Sequence, residues 1–226
     1  IFAAFGDSIT RGWPYDQDDA NGRPYNGGYV PEVQNRLSSE SGWDVTVLNY
    51  GHPGERVVWE GYLRFEPSYA YPVLSSNPDY VLVMEGTNDL SYSIGPGAIS
   101  DKLEFIVDKV LDDGRVPLIG TLLPRFGEHG DVDVSGLNTL IRAMAVEKGI
   151  VLADLYAAAG QAWQYYMQDD GLHPNLAGYS LMAKSWSGAL VQAKAIQDEI
   201  QRQRQLELER QRAAAVSAAV SLLLLD

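Results

Sequence analysis

The sequence predicts an α/β protein: a three-layer α/β/α sandwich built on a five-stranded parallel sheet of the flavodoxin-like type. Two observations favour this fold. Short apolar runs that are rich in β-branched residues recur along the chain, and helical stretches separate them. Strands that alternate with helices pair in parallel through right-handed crossovers, so that helices cover both faces of the sheet.

Five runs have the length and the composition of buried strands. In chain order they are IFAAF, VTVLNY, YVLVM, VPLIG and IVLAD, which begin at Ile1, Val45, Tyr80, Val116 and Ile150. The helices predicted between and after them span residues 29–39, 57–65, 96–112, 134–147 and 155–166. This alternation leaves the Gly- and Tyr-rich segment 12–31 as the longest predicted loop.

The loops that follow the strands carry polar and glycine-rich signals. They read GDSIT after the first strand, GHPGE after the second, EGTND after the third and LLPRF after the fourth, and DDGLHPN leads into the last helix. Ligands of open parallel sheets bind beyond the carboxyl ends of the strands. We therefore expect the functional site at this edge of the sheet.

Charge and composition narrow the range of partners. The chain of 226 residues carries 17 basic and 30 acidic residues, and its net charge of -13 disfavours nucleic acid and anionic membrane surfaces. No apolar run approaches the ~20 residues of a membrane-spanning helix, so we expect a soluble protein without a membrane span. The absence of cysteine excludes disulfides and thiol nucleophiles, and it leaves the compartment, secreted or cytoplasmic, open.

The composition changes near residue 190. Residues 1–189 fit one catalytic domain, whereas residues 190–226 contain neither Gly nor Pro and predict a long C-terminal helical extension. Apolar residues recur at helical spacing near both of its ends: Ala193, Ile196 and Ile200, then Ala213, Val216, Val220 and Leu223. We expect the distal stripe to bind a second copy of the chain and form a homo-oligomer; a tail without any partner is the alternative.

Ser8 and His173 are the candidate pair for nucleophilic catalysis. A serine hydroxyl becomes a good nucleophile when a base takes its proton and a third group orients that base. Of the three histidines, His173 alone has a carboxylate three residues earlier, Asp170 in DGLHPN; Asp169 ranks second. In the other interpretation, Asp170 caps the next helix and His173 is a solvated loop residue.

Two further residues have the chemistry of an oxyanion hole, in which N–H donors stabilise the negative oxygen of an acyl-transfer intermediate. Gly51 lacks a Cβ and so permits close approach to its N–H, and Asn88 offers an uncharged NH₂ group. Each residue also fits a structural role, Gly51 as a turn glycine and Asn88 in an Asx turn. Both follow predicted strands, so they lie at the same sheet edge as Ser8.

Taken in order, these segments resemble the SGNH (GDSL-like) hydrolase superfamily. GDSIT resembles its first block, NYGHPGE its second, GTND its third and DGLHPN its fifth. The resemblance implies Ser8 as the nucleophile, His173 as general base and acid, and Asp170 as the carboxylate that orients the histidine. It also implies an oxyanion hole formed by the Ser8 N–H, Gly51 and Asn88.

The resemblance implies a serine esterase that works through an acyl-enzyme and needs no cofactor. No H-x-x-x-H or comparable metal-ligand spacing occurs in the sequence, so we expect no metal site. Asp7 and Asp89 stand next to the candidate residues, and we expect both to cap a helix or hold a loop rather than react. The alternative enzymes are a lipase or a thioesterase for longer acyl chains, and the alternative outside catalysis is a glycan-binding domain of the same fold.

The loop after Ser8 carries the aromatic residues Trp13, Tyr15, Tyr25 and Tyr29. Such side chains suit stacking on a sugar better than an acyl-chain tunnel, although they also fit simple packing of the loop. We therefore expect a small-molecule or glycan ester with a short acyl group, foremost acetyl. Trp13, Tyr15 and, from the second block, His52 are the predicted substrate-lining residues.

Overall fold

The computed structural model describes most of the chain, namely residues 1–15, 27–69, 72–126 and 134–223. It divides into two compact units, Ile1–Leu190 and Val191–Asp226. Within the described residues, no helix is both long enough and apolar enough to cross a membrane. All residues of the candidate site lie in the first unit.

A parallel sheet forms the centre of the first unit. Its strands are β1 (Phe2–Gly6), β2 (Val47–Gly51), β3 (Tyr80–Met84), β4 (Val116–Gly120) and β5 (Val151–Ala153). They pair in the order β2-β1-β3-β4-β5, and every pairing is parallel. The predicted α/β fold with a five-stranded parallel sheet is thereby confirmed. Because β1 lies between β2 and β3, whatever follows β1 lies between the loops that follow those two strands.

Helices and 3₁₀ turns connect the strands. The helices are α1 (Ser8–Arg11), α2 (Tyr29–Ser41), α3 (Thr87–Ser91), α4 (Pro96–Asp112), α5 (Ser135–Lys148), α6 (Leu155–Ala159) and α7 (Leu176–Leu223). The 3₁₀ turns span Gly61–Phe65, Val73–Ser76 and Gly160–Tyr166. Helix α7 continues from the first unit into the second.

Two predicted helices are shorter than expected, each for a local reason. The helix predicted over 57–65 is only a 3₁₀ turn at Gly61–Phe65, because the φ of -127° at Glu60 lies outside the helical range. The helix predicted over 155–166 ends as α6 at Gly160. The left-handed φ of 58° at that glycine is incompatible with continued helix.

The core lies on both faces of the sheet. All five residues of β1 are buried, and so are the inward-facing residues of α4, which recur at three- and four-residue spacing: Ile99, Leu103, Ile106, Val107 and Val110. Tyr29 of α2 is fully buried, stacks on Trp186 of α7, and pairs its hydroxyl with that of Thr10 at 3.0 Å. The expectation that Tyr29 contacts a sugar is therefore wrong, and Tyr25 lies outside the described residues.

Candidate active site

The turn after β1 places Ser8 at the carboxyl edge of the sheet. Gly6 is required there, because a Cβ at that position would overlap Thr10 Oγ1 and the Met84 carbonyl. Asp7 then caps α1 by accepting a hydrogen bond from the Ile9 N–H at 2.8 Å, which is the structural role expected for it. Ser8 is thus the first residue of a short helix, and the first turn of a helix leaves its N–H without an intrahelical acceptor.

His173 arrives at Ser8 from a loop near the far end of the first unit. Ser8 Oγ and His173 Nε2 are 2.9 Å apart, and His173 Nδ1 and Asp170 Oδ2 are 2.7 Å apart. The other carboxylate oxygen of Asp170 accepts the N–H groups of Leu172 and His173, at 2.9 and 3.0 Å. The structure therefore brings these three predicted residues into one hydrogen-bonded chain, with Asp170 rather than Asp169 against the imidazole.

The carboxylate of Asp170 is held in its ionised form. Partial burial raises its pKa, but the N–H groups of His173 and Leu172, together with the imidazole, outweigh burial and leave the pKa below its usual value. The side chain is 33% exposed, so solvent still reaches it. A carboxylate in this position fixes the ring so that Nε2 faces the serine, and it stabilises the ring when it becomes cationic.

Asn88 lies in the first turn of α3 and joins this helix to the loop after β2. One N–H of Asn88 Nδ2 donates to the Glu55 carbonyl at 2.8 Å, and the second N–H of the same amide is left available. Asp89 holds the same loop through the Val57 and Val58 N–H groups, as expected of a residue with a structural role. Asn88 and its neighbour Asp89 thus both bind the loop after β2, and these contacts fix the position of the Asn88 amide.

Gly51 is the last residue of β2, and Gly54 lies in the loop that follows. The two glycines differ in whether the N–H group has a hydrogen-bond acceptor. The Gly51 N–H donates to Asn49 Oδ1 at 2.9 Å, so it is already paired within the chain, contrary to the expectation of an available donor. Gly54 adopts a left-handed φ of 79° in the turn that the Glu55 N–H closes onto the His52 carbonyl at 3.1 Å. Among the hydrogen bonds of the described residues, none uses the Gly54 N–H. The repeated glycines of GHPGE were the signal for this second candidate.

The predicted substrate-lining residues take three different positions. Trp13 lies beside the catalytic candidates, with its ring centre 6.2 Å from that of His173, and its carbonyl accepts the Tyr179 hydroxyl at 2.6 Å. Tyr15 packs edge-on against Tyr179, with ring centres 6.1 Å apart. His52 is exposed, and its N–H donates to the Gly6 carbonyl at 2.9 Å. Of these three described residues, only Trp13 places its ring against that of His173.

Buried carboxyl groups lie beneath the turn that carries Ser8, and the sequence did not predict this. Burial raises the pKa of Asp7 to about 7; its bond from Ile9 opposes the shift, and the carboxylates of Glu55 and Asp89 add to it. Burial likewise raises the pKa of Glu85, at the end of β3, well above its usual range, with Asp7 as the next contribution. The signal for Glu85 was a glutamate directly after an apolar strand, in YVLVMEG.

A buried arginine stands near these acids. Arg125, in the loop after β4, donates to the Thr87 carbonyl at 2.9 Å and to Ser91 Oγ at 2.8 Å. Burial lowers its pKa and the Asp7 carboxyl opposes that shift. Arg125 thus connects the loop after β4 to α3, the helix that carries Asn88. No group of three or more His, Asp or Glu residues suited to a metal occurs in the part of the chain that the structure describes.

Comparisons with known proteins show which family the chain resembles and which proteins are similar to it. The model of the GDSL-like Lipase/Acylhydrolase family matches residues 4–181. The chain is 28% identical over 173 residues to a multidomain esterase of Ruminococcus flavefaciens, covering 72% of this chain but only 21% of that protein. It is 27% identical over 173 residues to esterase TesA of Pseudomonas aeruginosa, covering 76% of this chain and 78% of TesA.

Solved structures share the fold. An acetylxylan esterase from Geobacillus stearothermophilus superposes with a TM-score of 0.67 at 20% identity, covering 83% of this chain and 92% of that one. At this identity the likeness concerns the fold alone. The family match over residues 4–181 defines a hydrolase of the lipase and acylhydrolase class. The chain belongs to the GDSL-like lipase/acylhydrolase family.

Proposed function

We propose that this protein is a serine esterase that hydrolyses short-chain acyl esters through an acyl-enzyme on Ser8. The observation that carries the proposal is the hydrogen-bonded chain from Ser8 Oγ through His173 to Asp170, with distances of 2.9 and 2.7 Å. A nucleophile, a base within hydrogen-bond reach and a group that orients the base are the parts that acyl transfer requires. A non-catalytic glycan-binding domain would have no use for this alignment.

The reaction follows from the geometry in two halves. Ser8 Oγ attacks the ester carbonyl while its proton passes to His173 Nε2, and the protonated ring then gives that proton to the departing alcohol. Water next gives a proton to the same nitrogen and attacks the acyl-enzyme, and the proton returns to Ser8 as the acid leaves. Asp170 remains ionised throughout and stabilises the imidazolium that forms in each half.

The oxyanion is stabilised by N–H donors from three adjacent loops. We assign the Ser8 N–H and the second N–H of Asn88 Nδ2 to this role. For the third donor the hydrogen bonds favour the Gly54 N–H over the predicted Gly51, because Gly51 is paired with Asn49 whereas Gly54 precedes the residue that holds Asn88. Backbone donors of this kind need no rearrangement when the charge appears.

The substrate that fits best is a short acyl ester of a sugar or another small alcohol. Trp13 next to His173 provides an aromatic face on the side of the site where the base acts. The net charge of -13 disfavours anionic phospholipids and acyl-CoA. The similarity in fold to an acetylxylan esterase favours acetyl esters of glycans, whereas a lipase activity on long chains is the competing candidate.

The test compares Ser8→Ala with Ser39→Ala, an exposed serine on α2 that serves as a control. We expect Ser8→Ala to abolish hydrolysis of 4-nitrophenyl acetate and Ser39→Ala to leave it unchanged. Near-normal turnover by the Ser8→Ala protein would reject the assignment. In the unaltered protein, acetyl and butyryl esters should give a far higher kcat/KM than esters of twelve or sixteen carbons; the reverse order would favour the lipase candidate.

We further propose that the helical extension mediates self-association with a second copy of the chain. In the second unit, the apolar side chains of Ile196, Ile200, Leu206, Leu208 and Val216 are exposed. Its acidic and basic residues balance, so charge does not oppose pairing of the extensions. The side chains of Val220 and Leu223 lie outside the described residues. Light scattering of the full chain and of a chain ending at Leu190 tests this, and equal oligomeric order in both would contradict it.

A further inference from the structure

An arginine stacked against two exposed aromatic rings stands beside the proposed oxyanion hole. The Cζ atom of Arg56 lies 3.5 Å from the ring centre of Trp59 and 4.2 Å from that of Tyr92. Both rings therefore pack against the same guanidinium. We call Arg56, Trp59 and Tyr92 the aromatic platform.

Hydrogen bonds connect Asn88 to both segments that carry the platform, namely the loop after β2 and the end of α3. Arg56 directly follows Glu55, whose carbonyl accepts the Asn88 amide at 2.8 Å. Tyr92 lies one helical turn after Asn88, and its N–H donates to the Asn88 carbonyl at 3.1 Å. The platform therefore borders the side of the site on which Asn88 lies, whereas Trp13 lies on the side of His173.

Burial of apolar surface does not explain the platform. Trp59 is 59% exposed and Tyr92 is 67% exposed, although large aromatic rings are usually buried when they serve only packing. The loop that presents Trp59 is nevertheless fixed, because the two N–H groups after Arg56 donate to Asp89. Exposed rings on a fixed backbone are pre-organised for a ligand, since little conformational freedom is lost on binding.

The chemistry of the platform matches a sugar ring. The C–H groups of a pyranose form an apolar face that covers an aromatic ring, while its hydroxyl groups need hydrogen-bond partners at the edge. Arg56 supplies such partners, because its guanidinium carries five N–H donors and makes no hydrogen bond with the described residues. Aromatic faces and unused donors thus occur together at one place.

We propose that the aromatic platform binds a pyranose unit of a glycan whose ester is hydrolysed at Ser8. This inference rests on the proposed esterase function and adds a binding site for the sugar part of the substrate. In this proposal Arg56, Trp59 and Tyr92 contribute to substrate binding and take no part in the reaction itself. Loss of either ring should therefore raise KM for a glycan ester and leave kcat unchanged.

The experiment uses two substrates, an acetylated xylo-oligosaccharide and ethyl acetate, which has no ring to stack. It compares the unaltered protein with Trp59→Ala, Tyr92→Ala and the conservative Trp59→Phe. The control is Tyr156→Ala, an exposed tyrosine of α6 that faces Arg142 and follows β5, the edge strand opposite β2. Melting temperatures of all variants check that each one folds.

We expect Trp59→Ala and Tyr92→Ala each to raise KM for the oligosaccharide about 3- to 10-fold, the range that one aromatic stacking contact gives. Trp59→Phe should stay within about twofold of the unaltered protein, because it keeps a ring for stacking. Ethyl acetate hydrolysis by these variants, and hydrolysis of both substrates by Tyr156→Ala, should not change.

Four outcomes would overturn the proposal. An equal rise in KM for both substrates would mean that the platform supports the site rather than binding sugar, and an unchanged KM for the oligosaccharide would mean that it does neither. Hydrolysis of ethyl acetate but not of the oligosaccharide would reject the sugar site and keep the esterase. Failure of both substrates, with no difference between the unaltered protein and Ser8→Ala, would reject the esterase function and the platform's role with it.

Discussion

Asp7 and Asp170 start from the same local structure, yet their pKa values shift in opposite directions. In each, Oδ1 accepts the N–H of the residue two positions later, at 2.8 Å from Ile9 and 2.9 Å from Leu172. In Asp170, Oδ2 meets His173 and the side chain is 33% exposed; in Asp7, Oδ2 is buried and has no partner among the residues that the structure describes. The pKa of Asp170 lies below its usual value, whereas that of Asp7 is about 7.

The difference shows what sets the pKa of such an aspartate: the partner of its second carboxylate oxygen and the exposure of its side chain to solvent. A buried carboxyl group with a single N–H donor bears most of the cost of desolvation when it ionises. In the proposed mechanism this cost is favourable, because a full negative charge at Asp7, next to Ser8, would oppose the oxyanion. Asp170 contacts the histidine that would become cationic in that mechanism, and there a negative charge is stabilising.

The largest effect should come from removing the charge at Asp170. Asp170→Asn keeps the shape but cannot hold the imidazole in the required tautomer, and we expect kcat for 4-nitrophenyl acetate to fall by about 10⁴-fold, as for the orienting aspartate of serine triads in general. The matched variant Asp7→Asn keeps the acceptor for Ile9 and should change kcat by only a few-fold. Similar losses in the two variants would contradict the contrast between them.

A smaller effect should come from Asn88, the uncharged side chain of the site. Asn88→Ala removes one oxyanion donor, and we expect kcat to fall about 10²- to 10³-fold with a comparatively unchanged KM, because the bond strengthens only as the charge develops. Steady-state kinetics on 4-nitrophenyl acetate measure both constants. A defect confined to KM would place Asn88 in substrate binding instead and leave the oxyanion to the backbone donors.

Local sequence signals predicted the fold and the proximity of Ser8, His173 and Asp170. Buried strands read as apolar runs, and parallel pairing then brings their following loops to one edge. The Asp170–His173 contact needs only a three-residue turn, so it is also local. The contact of Ser8 with His173 is long-range, and the resemblance of GDSIT and DGLHPN to blocks of one family indicated it.

Side-chain pairing and burial could not be predicted in the same way. Gly51 and Gly54 look alike in GHPGE, but the Asn49 side chain accepts the N–H of Gly51, and this contact is not visible in the sequence. Tyr29 was expected near a sugar, yet α2 turns it into the core against Trp186. The raised pKa of Asp7 likewise depends on burial first and then on Glu55 and Asp89, which come from distant parts of the chain.

The smallest and most specific test concerns stability and pH. A folded pKa near 7 for Asp7, against 3.8 in the unfolded chain, means that the folded state binds the proton more tightly. The resulting stability is fully present below about pH 4 and is lost as the pH rises through 7, at most about 1.4 kcal/mol per pH unit for this one group. Asp170, with its lowered pKa, contributes the opposite slope at acid pH.

Asp7→Asn should therefore flatten the fall in the free energy of unfolding between pH 5 and pH 8, measured by urea unfolding at both values. Asp101→Asn, on the exposed surface of α4, provides the control and should keep the slope of the unaltered protein. Part of the fall should survive in Asp7→Asn, because burial raises the pKa of Glu85, Glu55 and Asp89 as well. An unchanged slope in Asp7→Asn would mean that Asp7 is ionised in the folded protein, and the contrast with Asp170 would then rest on hydrogen bonds and exposure rather than on charge.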